Sequence, residues 1–169
     1  MAAVLSLSPT WRDALQAIVD RLGEELAVAT AQVHHARDEA TSEQSKAENK
    51  YDTRATEASY LAGAQNRRQL ELQKNLAHFE RLRASAPVTR EAIDGPCLVA
   101  VRDSGGEVSW LFLGPAAGGT RVIVDGVAVV VVTPQAPQGR ALMGAMVDDE
   151  VMVADTGRRL TVVRIDAGA

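Results

Sequence analysis

The residue types that carry most chemistry are sparse in this chain, and they are not paired. Cys97 is its one cysteine, and its three histidines, His34, His35 and His78, fall in another part of the sequence. No nucleophile therefore has a base beside it. Adjacent histidines on a helix point about 100° apart, so His34 and His35 make a poor metal pair without a third ligand, and a solvated helix surface is their plainer use. Gly114-Pro115-Ala116-Ala117-Gly118-Gly119 has the glycines of a phosphate cradle but neither its lysine nor its following helix, and reads as a turn. What remains is carboxylate. Between Arg37 and Glu57 lie Asp38, Glu39, Glu43, Glu48, Asp52 and Glu57, interleaved with Arg37, Lys46, Lys50 and Arg54 and with almost no large apolar residue. The bland reading is a solvated helix face. Against it, the like-charge pairs Lys46–Lys50, Glu48–Asp52 and Lys50–Arg54 are mildly unfavourable in an isolated helix.

The elements that must position this polar stretch flank it. Pro9 to Leu26 and Ser59 to Arg83 both carry apolar residues at helical spacing: Trp11, Leu15, Ile18, Leu22, Leu26, Ala29 and Val33 in the first, Ala58, Leu61, Leu72, Leu76, Phe79 and Leu82 in the second. Steps of three and four place each set on one helix face. Neither face is stable in water, so the two are expected to bury each other as an antiparallel hairpin. Arms of roughly 30 residues would reach about 45 Å, with the acidic stretch at the far end. Ser8-Pro9 reads as the helix start, serine capping and proline in the first turn. No glycine or proline marks the reversal. Thr41-Ser42 and Ser45 are the expected turn or cap residues, because hydroxyls compete for backbone hydrogen bonds; one continuous helix is the alternative.

After Pro87 the period changes. Residues 86–95 read as a linker between a hairpin, 1–85, and a second domain, 96–169. Cys97 to Val101 and Val108 to Leu113 flank the turn Asp103-Ser104-Gly105-Gly106. Further strands are expected at Arg121 to Val124, Val127 to Thr133, Glu150 to Val153 and Arg159 to Ile165, with Asp125-Gly126 and Asp155-Thr156-Gly157 as tight turns. Gln138 to Met143 reads as a short helix ended by Gly144. The fold class is α+β: a helical hairpin, then a small antiparallel sheet. The chain has 169 residues with a net charge of −4, which disfavours a grip on duplex DNA through its phosphates. Aromatic residues make up 4 %, so the core is aliphatic. The single cysteine fits a reducing compartment. The start is a poor signal peptide and Val127 to Val132 is too short to cross a membrane, so the expected location is cytoplasmic.

At Ala136-Pro137-Gln138-Gly139-Arg140-Ala141-Leu142-Met143-Gly144, followed by Val147-Asp148-Asp149-Glu150-Val151, the sequence resembles the GreA/GreB family of transcript cleavage factors. The family pattern is Ser-Pro-x-Gly-Arg-Ala-Leu-x-Gly, a short gap, then Gly-Asp-x-Val. Pro137, Gly139, Arg140, Ala141, Leu142, Gly144, Asp149 and Val151 match it. Ala136 replaces the usual serine, Asp148 the usual glycine, and Ala145 stands where lysine is common. The resemblance covers the C-terminal domain in wording and the hairpin in architecture.

The resemblance implies an N-terminal coiled-coil hairpin and an FKBP-like C-terminal domain. It implies a bacterial RNA polymerase as partner, with the C-terminal domain docked at the rim of the secondary channel and the coiled coil inside. Acidic tip residues there help hold a second Mg²⁺ at the polymerase active site, which cleaves a backtracked transcript. Such a factor is no enzyme itself, holds no cofactor of its own, and meets nascent RNA only within the polymerase complex. Mg²⁺ is a hard cation suited to one or two carboxylates plus water and phosphate oxygens. Glu48-Asn49 and Tyr51 resemble the family's tip, though Ser45 stands where an acid is expected. Glu48 is the leading candidate, with Glu43 or Asp52 as companion; Pro137, Gln138 and Arg140 are the candidate polymerase contacts. Two other classes stand beside this one. The missing acid at Ser45 favours a regulator that occupies the channel without cleavage. An FKBP-type isomerase would need an aromatic pocket, and Trp110 and Phe112, at i and i+2 on one strand face, more commonly serve packing.

Overall fold

The computed structural model describes the backbone of residues 8–44 and 53–168, and the side chains of 8–38 and 60–168. Two helices come first, α1 (Trp11–Gln44) and α2 (Thr53–Ala84). Six strands and one short helix follow: β1 (Cys97–Asp103), β2 (Val108–Leu113), β3 (Arg121–Val124), β4 (Val127–Val132), α3 (Pro137–Leu142), β5 (Glu150–Val153) and β6 (Arg158–Asp166). The chain forms two compact units, Met1–Asp20 with His78–Ala169, and Arg21–Ala77.

The first unit is built on one sheet in the order β3-β4-β2-β1-β6-β5. Most of its pairs are antiparallel, as expected, and β2 and β4 add one parallel pair. The reason lies in composition. β4 is an unbroken Val-Ala-Val-Val-Val-Val run fit for an interior position, whereas β3 exposes Arg121 and Ile123 and suits an edge. Placing β4 beside β2 puts the β3–β4 hairpin on the outside. That hairpin turns on Asp125 (φ 49°) and Gly126 (φ 80°), the two left-handed residues of a type I′ turn.

Both sheet faces are covered within this unit. Cys97, Val99, Val101, Leu111 and Leu113 pack with Leu142 of α3 and with Ile93. Ile93 is fully buried, and its N–H and C=O bond Ala145 and Gly144, so the 86–95 stretch is stitched to the turn after α3. On the other face Phe112 meets Trp11 and Phe79. The first turns of α1 and the last of α2 thus belong to the sheet's core, with Trp11, Leu15, Ile18 and Phe79 all buried.

α1 begins at Trp11, two residues after Pro9, and Thr10 caps it by accepting the Asp13 N–H at 3.2 Å. This corrects the expected cap at Ser8, because Thr10-x-x-Asp13 supplies a capping pair of its own. Thr41 and Ser42 lie inside α1, not in a turn; the helix formers Glu39, Ala40, Glu43 and Gln44 around them carry it on to Gln44. Ser45 lies outside the described residues. Near the sheet, Arg83 of α2 donates to Gln16 of α1.

In the second unit, Gln69 of α2 donates to Thr30 of α1 at 3.0 Å, and Ala29, Val33 and Leu72 are buried. The helices are an antiparallel hairpin pair, as the two stripes predict. Leu61 departs from its stripe and is 60 % exposed. Among the described residues no helix is long and apolar enough to cross a membrane.

Candidate partner-binding site

The motif that ends in Val151 divides into residues that build a turn and residues that face outward. Ala136 is the N-cap of α3 in extended conformation, without a side-chain cap, and Pro137 fits the first turn, where its missing N–H leaves nothing unpaired. Gly139 is required by close approach: a Cβ there would lie 2.0 Å from the Thr133 carbonyl oxygen. Leu142 is fully buried in the core. Gly144 (φ 84°) ends the helix as expected and donates its N–H to Ile93 at 2.8 Å. The Asp149 carboxylate accepts the Met146 N–H at 2.8 Å, which pins the following turn. Half of the motif is therefore architecture.

Two positions on α3 and its C-cap residue form an outer face. Pro137, Arg140 and Met143 follow each other at steps of three, and all are exposed. Gln138 is half-buried beside them. The candidates Pro137, Gln138 and Arg140 are thus brought together on one six-residue helix. Met143, next in the chain to the buried Leu142, has no role assigned to it from the sequence. The structure separates the two, with Met143 39 % exposed. The i, i+3 step from Arg140 was the available signal.

Behind Pro137 and Gln138 lies an open cavity of about 360 Å³ with Val130, Val132, Val153 and Leu160 in its wall. Thr156 of the β5–β6 turn and Arg158, the first residue of β6, stand at the same cavity, and none of its lining residues is aromatic. Phe112 is instead spent on Trp11 and Phe79, and Trp110 lies under the Arg164 guanidinium, 5.9 Å from the ring centre. The cavity can take an aliphatic side chain but offers no aromatic cage. Around it, Arg140 is 3.9 Å from Asp155 and Arg158 is 3.7 Å from Asp103. Both arginines are exposed, so each pair contributes at most about 1 kcal/mol and leaves its arginine available to a partner.

The candidate tip divides differently. Glu43 lies in the last turn of α1, while Glu48 and Asp52 lie outside the described residues. Among the described residues no cluster of three or more His, Cys, Asp or Glu is placed to hold a metal ion. His34 and His35 are exposed on α1. Cys97 is fully buried, and burial pushes its thiol up to about 12, with Arg90 pulling the other way. A thiol so protonated is no nucleophile at neutral pH.

No known protein-family profile matches this chain, and no curated protein does. Among solved structures it is similar to that of the transcription factor Gfh1, with 19 % identity over 88 % of this chain and 93 % of that one and a TM-score of 0.37. It is also similar to GreA factor homolog 1 (Gfh1) of Thermus thermophilus, with 19 % identity over 87 % and 93 % and a TM-score of 0.35. A third similar structure is Gfh1 of Thermus aquaticus, with 18 % identity over 87 % and 92 % and a TM-score of 0.34.

Proposed function

We propose that this protein binds a bacterial RNA polymerase in the cytoplasm and works through its secondary channel. The observation that carries the reading is the Pro137–Val151 motif, which presents Pro137 and Arg140 outward, with Gln138 half-buried beside them, from a sheet domain that follows a helical hairpin. In this reading the outer face of α3 docks on the polymerase and the hairpin enters the channel. Glu48, with Glu43 or Asp52, places a carboxylate on an Mg²⁺ that the polymerase binds. The metal's chemistry is to stabilise an attacking water and a leaving oxygen on the backtracked transcript. The chain's own part is to hold a hard oxygen donor at that ion and to orient it. The protein is then a factor, with the reaction belonging to the polymerase.

The residue at position 45 favours a second reading. Ser45 stands where the resemblance calls for an acid, and a single carboxylate is a weaker metal partner than two. The same architecture would then occupy the channel and modulate the polymerase without cleavage.

A polymerase stalled and backtracked on a labelled transcript separates the readings. Faster release of short 3′ fragments with Mg²⁺, lost in Glu48→Ala and reduced in Glu43→Ala, is the result expected of a cleavage factor. Binding without release selects the channel-occupying regulator. No binding to polymerase overturns both. Arg140→Glu adds a test of the docking face, with binding expected to weaken about tenfold while the fold is kept.

A further inference from the structure

Every methionine among the described residues is on the surface: Met143 at 39 %, Met146 at 50 % and Met152 at 63 % exposure. The other sulfur among the described residues, Cys97, is fully buried. Peroxides react with exposed thioethers and with thiolates, and here only the thioethers are offered. Two of the three are placed to matter. Met143 shares the outer face of α3 with Pro137 and Arg140, at successive steps of three. Met146 follows across the Gly144 turn, where its N–H is held by Asp149 and its backbone bridges Ala92. Met152 is different. It alternates along β5 with Val151 and Val153, which face the core under α3, so it points to the other side of the sheet.

We propose that Met143 and Met146 are a site of reversible oxidation that weakens partner binding by the α3 face. The inference rests on the polymerase-docking reading above. Hydrogen peroxide transfers one oxygen to the thioether sulfur: the S–O bond forms, the O–O bond breaks, the sulfur loses two electrons and the peroxide leaves as water. The product is a polar sulfoxide where a soft, apolar side chain stood. Neither side chain is part of the buried core, so the fold survives the change while the Met143 position on the face of Pro137 and Arg140, and the Met146 position in the turn that follows, lose their apolar character. A methionine sulfoxide reductase restores it.

The test treats the full chain with dilute hydrogen peroxide, maps the products by peptide mass spectrometry and measures binding to RNA polymerase before and after. Expected are one added oxygen at Met143 and Met146, an unmodified Cys97, an unchanged melting temperature and about three- to tenfold weaker binding. A Met143→Leu, Met146→Leu double variant, close in volume, is expected to show the same binding before and after peroxide, whatever its own untreated affinity, whereas Met152→Leu keeps the peroxide response. Oxidation with unaltered binding, or a response abolished by Met152→Leu alone, overturns the proposal. Absence of polymerase binding by the untreated protein overturns the docking reading itself and the proposal with it.

Discussion

The indole of Trp11 lies over the ring of Phe112, with centroids 6.4 Å apart and planes 30° from parallel. Phe79 closes on the same ring at 6.0 Å, and the Trp11 main-chain N–H donates to Asp166 at 3.1 Å. The first turn of α1 is thereby fixed to the sheet at two points, a ring and a carboxylate that also satisfies a free helix N-terminal N–H. Trp11→Ala is expected to lower stability by about 3–5 kcal/mol and Asp166→Ala by about 1–2 kcal/mol in urea denaturation. A double-mutant cycle of Trp11 with Phe112 should leave a coupling of about 0.5–1.5 kcal/mol. Strict additivity would mean that the two rings are not one packing unit.

Gly139 is the motif residue whose replacement should do most damage. A methyl group there would meet the Thr133 carbonyl oxygen at 2.0 Å, and that oxygen already accepts the Ala136 N–H. Both neighbours are backbone, so α3 or the turn before it must move. Gly139→Ala is expected to cost more than about 2 kcal/mol, whereas Arg140→Ala, one residue on and exposed, should stay within about 0.5 kcal/mol. Thermal melts of the two variants side by side decide this. Equal melting temperatures would refute the close-approach account.

The contrast between these neighbours shows what the sequence could and could not say. Alternation and Asp-Gly turns are local signals, so all six strands were legible, down to the Asp125-Gly126 turn with both φ values positive. Which strand lies beside which is not local. The parallel pairing of β2 with β4 depends on β4 being the more apolar of two hairpin strands, a comparison across the chain rather than a pattern within it. Trp11 and Phe79 sit correctly on their helical stripes, yet periodicity gives a face and not its partner, and their partner includes the sheet. At the site, Pro137, Gln138 and Arg140 followed from a motif. Met143 needed the helix phase, and Thr156 and Arg158 are carried to the cavity by a turn twenty residues further on.

Two positions at which the sequence differs from the pattern it resembles have separate physical consequences. Asp148 holds φ at 72°, where an L side chain is strained and glycine is not, and its N–H is fixed to the Val162 carbonyl at 2.8 Å. Asp148→Gly is expected to raise stability by about 0.5 kcal/mol and Asp148→Val to lower it by about 1–2 kcal/mol. Ala136 begins α3 without a side-chain cap, so Ala136→Ser is expected to add about 0.5–1 kcal/mol. Chemical denaturation of the three variants gives the signs. A stabilising Asp148→Val would show that backbone strain at this position is not what the substitution tests.

Burial makes Cys97 a reporter of alkaline instability. Its thiol is raised from 9.0 to about 12 in the folded chain, chiefly because a thiolate would lose its water there. Below pH 9 the thiol is protonated whether the chain is folded or not, and its contribution is fully present. Between pH 9 and 12 the unfolded chain releases the proton while the folded chain keeps it, so stability falls by up to about 1.4 kcal/mol per pH unit. Cys97→Ala removes that slope and carries its own cavity cost at every pH. The wild type's advantage over the variant should therefore shrink by about 2 kcal/mol between pH 8 and pH 10.5 in urea titrations. In the same experiment a thiol reagent at pH 8 should modify the protein only in urea. Rapid modification of the native chain, or a pH-independent difference between the two proteins, would show that Cys97 reaches water without unfolding.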